Sequence, residues 1–114
     1  MAQNNFLTAS PPYAVTETIQ TFGRNLRTAR IRRNMTIAEA AERIGVGVRS
    51  VRDAEHGKTT TSVAVYYALM WLYGLLPVSD GLANPDMDME GKRLAELREP
   101  KRASSSRKGM DNDF

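Results

Sequence analysis

Apolar residues recur along this chain at helical rather than strand spacing. Val15, Ile19, Phe22, Leu26 and Ala29 fall four, three, four and three residues apart, one stripe of a helix expected over residues 13–33. Asn34 follows, a residue that tolerates positive φ better than most and so suits a helix stop. Thr36 and Glu39 then stand at capping-box spacing: the hydroxyl accepts from the Glu39 amide and the carboxylate reaches back. Met35 and Ala40 flank them as a hydrophobic staple. This second helix is expected to end at Ile44, where Gly45-Val46-Gly47 interrupts it. A third, over residues 48–56, stops at Gly57, and the hydroxyls of residues 59–62 offer caps for a fourth over 63–73. That segment, VAVYYALMWLY, is apolar nearly all round, which predicts a central position. Beyond Gly74 a short broken turn is expected over residues 75–83, and Asp86 is read as the cap of a last helix over 87–98.

No internal repeat and no strand-period alternation interrupts this series. The expected fold class is all-α, a compact bundle of about five helices with flexible termini. Residues 1–12, ending in Ser-Pro-Pro, read as an extended, mobile arm; residues 13–76 form the principal domain, 77–99 a C-terminal helical extension and 100–114 a disordered tail.

Composition narrows the chemistry. A chain of 114 residues allows one compact domain with tails. It has no cysteine and a single histidine, His56, so no disulfide framework, thiolate site or His-rich metal cluster is expected, and no cofactor. Neither a nucleophile–base pair nor a phosphate-cradling glycine loop is found, so the chain is not expected to be an enzyme. The first ten residues lack a basic-then-apolar leader pattern, and the apolar stretch over 62–79 is broken by Gly74 and Pro77. A soluble, cytoplasmic protein without a membrane partner is the expectation. The net charge of +3 conceals an uneven distribution. Between Phe22 and Leu76 stand nine basic residues, eight of them arginine, against four acidic ones. Arginine suits bidentate contacts to phosphate and guanine, so the bias points towards nucleic acid.

Two short helices that cross closely over a tight turn make a steric demand on the sequence. Here Ala41 is small enough for the crossing, Gly45 can reach positive φ, and Ala40, Ile44, Val46, Val51 and Ala54 can anchor both helices. An ordinary αα-hairpin is the plainer reading of that window. The segment NMTIAEAAERIGVGVRSVRDAEHGKTTTS, with its Gly-Val turn and its Glu55-His56-Gly57-Lys58 ending, resembles the helix-turn-helix of the Cro/CI repressor (Xre) family. Two positions depart from the family pattern: Ile37 stands where glutamine is frequent, and Gly47 where serine often caps the second helix of the motif.

The resemblance implies a lambda repressor-like fold that binds double-stranded operator DNA, with the helix over 48–56 in the major groove. Val48, Arg49, Arg52 and Asp53 are then the base-reading candidates, Arg49 first, Arg52 second, and Val48 for a thymine methyl. Asp53 lies four residues beyond Arg49 and is placed either to orient its guanidinium or to make an ordinary surface pair. Thr36, Ser50, Lys58 and Thr59 are the backbone-contacting candidates. The family also implies an ion pair between Arg30, late in the first long helix, and Glu55, and dimeric binding to pseudo-palindromes. The apolar surplus after Ser62 suggests a homodimer interface with Tyr66, Met70, Trp71 and Leu75 as candidates. The runs Pro12-Tyr13-Ala14-Val15, Tyr66 to Trp71 and Leu82 to Asp86 are similar to Xre-type, HipB-like regulators encoded beside HipA-like serine/threonine kinases. That similarity implies a repressor acting as the antitoxin of a kinase toxin. A stand-alone phage-type or restriction-control regulator, or an adaptor that no longer binds DNA, remains open on the residues alone.

Overall fold

Four consecutive helices of this chain, α2 to α5, end in the same backbone device. The computed structural model describes residues 6–99 and contains only helices there: α1 (Phe6–Ala9), α2 (Tyr13–Arg32), α3 (Ile37–Ile44), α4 (Val48–Glu55), α5 (Val63–Leu72) and α6 (Met89–Arg98), with 3₁₀ turns at Leu76–Gly81 and Pro85–Met87. After α2, α3, α4 and α5 a residue turns to positive φ: Asn34, Gly45, Gly57 and Gly74. In each case the next amide bonds back five residues, as in Met35 N to Arg30 O (3.2 Å), Val46 N to Ala41 O (3.0 Å), Lys58 N to Asp53 O (3.0 Å) and Leu75 N to Met70 O (2.8 Å). These Schellman closures satisfy carbonyls that a helix end would otherwise leave open. At the start of α3 the capping box is complete, with Glu39 N donating to Thr36 Oγ1 (3.0 Å) and Thr36 N to Glu39 Oε1 (2.8 Å).

The described chain falls into two units, one ending at Ser79 and one beginning at Asp80. In the first, α2 to α5 enclose a core of Leu26, Ala29, Ala40, Ala41, Val51, Ala54, Tyr66, Leu69 and Tyr73. Small residues on α3 and α4 let those helices approach closely, and Phe22, Ile44 and Val46 pack around them. Gly23 marks a second close approach. A methyl group there would overlap the backbone of Ala54, Glu55 and Gly57, so only glycine lets α2 meet the end of α4. In the second unit the 3₁₀ turn and α6 contain no buried residue.

Three expectations need correction. Residues 6–9, read as part of an extended arm, form one α-helical turn. Helix α5 is not enclosed on all sides: Tyr66 and Leu69, with Tyr73 just beyond its end, are buried, whereas Val63 and Trp71 are exposed. Uniform apolarity gave no hydrophobic face to orient it. Asp86 does not cap the last helix either. Asn84 Oδ1 accepts from Asp86 N (2.9 Å) and closes a short turn with Pro85 at its first position; Asp88 then starts α6 by accepting from Gly91 N (2.9 Å). The preset φ of proline favours nucleation one step earlier than the sequence pattern suggests. The expected arm over residues 1–5 and the expected tail over 100–114 lie outside the described residues.

Candidate functional site

Helix α4 is short, and what fixes its inner side determines what its outer side presents. Val51 and Ala54 are fully buried, and Glu55 at its end is 6% exposed. The Glu55 carboxylate accepts from Arg30 on α2 in a fork, Nε to Oε2 at 2.6 Å and Nη2 to Oε1 at 3.0 Å. A third guanidinium N–H of Arg30 donates to Met35 O at 2.9 Å, in the turn between α2 and α3. One arginine thus ties together α2, the turn that follows it and the end of α4. The hydrogen-bonded Glu55 carboxylate holds the Arg30 guanidinium above its ordinary pKa, against the burial that works the other way.

The turn before α4 sets its direction. Gly45 sits at φ 78°, ψ 35°, a conformation that costs an ordinary residue about 1–2 kcal/mol. A Cβ there would meet nothing within 4 Å, so the demand is conformational and not steric. Ala41, one turn earlier, is 2% exposed at the crossing of α3 and α4. Gly47 occupies the N-cap of α4 with no side-chain bond, which leaves the first amides of the helix without a side-chain cap.

With the inner side fixed, Arg49 and Arg52 are exposed, and neither has an ion-pair partner among the described residues. Val48 is exposed beside them. Val48 and Arg52, one turn apart, line an open groove of about 550 Å³ whose other walls include Arg30, Ile31, Met35 and Ile37. Arg49 is not part of that groove. The Thr36 hydroxyl at its edge accepts from Glu39 N yet keeps its own proton for donation outward. Ser50 and Thr59 are partly exposed and Lys58 is exposed.

Asp53 does not orient Arg49. Its carboxylate lies 3.7 Å from Lys58 Nζ, because the turn at Gly57 folds Lys58 back over the end of α4. Tyr66 likewise leaves the group of interface candidates. It is 5% exposed, its ring is tilted 31° against Phe22 with centroids 5.2 Å apart, and its hydroxyl donates to Lys58 O at 2.8 Å. Burial raises its phenol pKa, with Asp53 adding to the effect. Met70 and Leu75 are partly exposed, and Trp71 is 62% exposed.

Two residues that sequence reasoning passed over also shape this region. Arg33 donates to Ala29 O (2.9 Å) and to Tyr73 O (3.0 Å), and its guanidinium lies 5.6 Å from the Tyr73 ring centroid. It therefore joins the end of α2 to the end of α5. Tyr73 is buried with no hydrogen-bond partner for its hydroxyl. Burial, reinforced by Glu55 and opposed by Arg30 and Arg33, pushes its pKa up to about 12. Gly23 is the second; only the clash a side chain would make reveals it.

Among the described residues no group of acidic, histidine or cysteine side chains is arranged to hold a metal ion, and no helix is long and apolar enough to cross a membrane. A family model described as a helix-turn-helix domain matches residues 21–80, a little over half of the chain. Comparisons with curated proteins and with solved structures give no match.

Proposed function

The chain belongs to the helix-turn-helix domain family, a class of DNA-binding regulators, and from that premise we propose that it is a sequence-specific transcriptional repressor. The observation that carries this reading is the exposure of Val48, Arg49 and Arg52 on a helix pinned from behind by the Arg30–Glu55 fork. Placed in a major groove, α4 directs two unpaired guanidinium groups at base edges, where each can bond a guanine O6 and N7 in a bidentate pair. The Thr36 hydroxyl, Ser50, Lys58 and Thr59 flank that face and suit phosphate oxygens, which fix register without reading sequence. Asp53, engaged with Lys58, is better placed to position that lysine than to read a base.

Two finer readings accompany this one. The exposed Trp71, with Met70 and Leu75 beside it, suits a symmetric homodimer interface on α5. The resemblance to HipB-like regulators supports a cytoplasmic antitoxin that captures a HipA-like serine/threonine kinase and represses their shared operon. In this reading the chain binds and does not catalyse. The test uses the purified full chain, the DNA upstream of its gene and the neighbouring gene product. Binding should fall steeply between roughly 50 and 200 mM salt, by about tenfold for every two phosphates that a lysine or arginine neutralises, because those phosphates release counterions. Co-purification with a kinase-like neighbour supports the antitoxin role. Salt-independent binding or none overturns the repressor reading, and a neighbour that does not bind overturns the antitoxin alone.

A further inference from the structure

The first residue of α4 is apolar, although its outer neighbours are basic. Val48 is 38% exposed and lines the groove together with Ile37, the first residue of α3. Two helices thus begin around one groove, and each brings a β-branched side chain to it. Ile37 packs partly against the core, while Val48 adds nothing to that core. Arg52 lines the same groove one turn along α4, and Arg49 is exposed next to Val48. Arg30 is also in the lining, but its charge is matched by Glu55. An apolar spot beside two unpaired guanidinium groups fits a polyanion that carries a small apolar group.

We propose that Ile37 and Val48 together form a cleft for the C5-methyl group of a thymine, an inference that rests on the DNA-binding reading above. In the major groove the methyl of thymine is the only apolar group that any base edge presents. Neither side chain can donate or accept a hydrogen bond, so a G·C pair at this position would bury polar edges against hydrocarbon. Two aliphatic side chains at one spot favour the base whose edge carries a methyl group. Ile37 and Val48 are therefore specificity-determining residues acting as one unit, with the arginines placing them on the duplex.

The experiment begins with selection of a binding site from random-sequence duplex DNA by the full chain, which should return a fixed thymine in each half-site. Replacing that thymine by uracil keeps the base pair and removes only the methyl. Affinity should fall about fourfold for one methyl and roughly fifteenfold for two. Val48→Ala, at an exposed position, should leave the circular dichroism and melting curve unchanged and bind thymine and uracil duplexes equally. Wild-type protein that binds both duplexes equally at every thymine overturns this inference and leaves DNA binding intact. A uracil penalty that persists in both Val48→Ala and Ile37→Ala overturns the assignment to these residues. If no duplex is selected, this inference and the functional reading both fall.

Discussion

In the unit ending at Ser79, Leu26, Val51 and Leu69 are shielded from solvent; in the unit beginning at Asp80, Leu82, Leu94 and Leu97 are exposed and no helical residue is buried. Both stretches have well-made helix starts. Thr36 caps α3 with a hydroxyl and Asp88 caps α6 with a carboxylate. Local signals therefore suffice to shape helices in either place, but an isolated helix of the length of α6 is marginal without a packed face. What distinguishes the first unit is the set of small residues, Gly23, Ala40, Ala41 and Ala54, that brings its helices close enough to exclude water. The face of α4 that reads outward exists because its other face is committed in that way.

The comparison can be broken most severely at the ion pair. Arg30→Ala leaves the Glu55 carboxylate buried without a partner and should lower stability by about 3–5 kcal/mol, read as a large fall in the thermal midpoint. An unchanged midpoint would remove the argument that α4 is held from behind. Next in size is one substitution made in both units. Leu69→Ala should cost about 2–5 kcal/mol, whereas Leu97→Ala should stay within about 0.5 kcal/mol. Equal effects in denaturant titrations would mean that the two units do not differ in burial as described. Gly23→Ala should cost about 1–3 kcal/mol, towards the upper end because the added methyl meets backbone, which yields less than a side chain. A neutral result would show that α2 and α4 can separate without penalty.

A small effect at neutral pH sharpens the picture of the core. Tyr73 ionises in the folded state only near pH 12, above the ordinary tyrosine value of about 10, so its neutral form is favoured by folding. That contribution is complete below about pH 10 and is lost as pH rises towards 12, about 3 kcal/mol in all. Tyr73→Phe removes an unpartnered hydroxyl, so stability at pH 7 should change by less than about 1 kcal/mol. The alkaline loss should be shallower in this variant, with the raised Tyr66 leaving a remainder. An alkaline denaturation profile identical to wild type would refute the role given to Tyr73.

What the sequence discloses depends on how far apart the interacting residues lie. The capping box joins residues three apart, and the turn at Gly45 follows from one glycine between two apolar periodicities; both can be read directly. The Arg30–Glu55 pair joins residues 25 apart, and spacing alone does not point to it; the family resemblance does. Arg33 and Tyr73 are 40 apart and escape both routes. Gly23 is silent because its constraint comes from the backbone of another helix. Sequence pattern alone assigns Tyr66 to the wrong side of α5, because that helix is apolar on every side and has no polar face to say which side points in. For Asp53, helical spacing points to Arg49, but the helix ends two residues later, at Glu55, and the returning chain brings Lys58 instead.

The central claim is that the outer face of α4 reads DNA, and the double variant Arg49→Ala/Arg52→Ala tests it most directly. Both side chains are exposed, so the variant should melt as wild type does. Binding to the DNA upstream of the gene should weaken by at least tenfold relative to a scrambled duplex, since each bidentate guanine contact contributes about 1–3 kcal/mol of discrimination. A folded double variant that still prefers the upstream duplex as strongly as wild type would contradict the account.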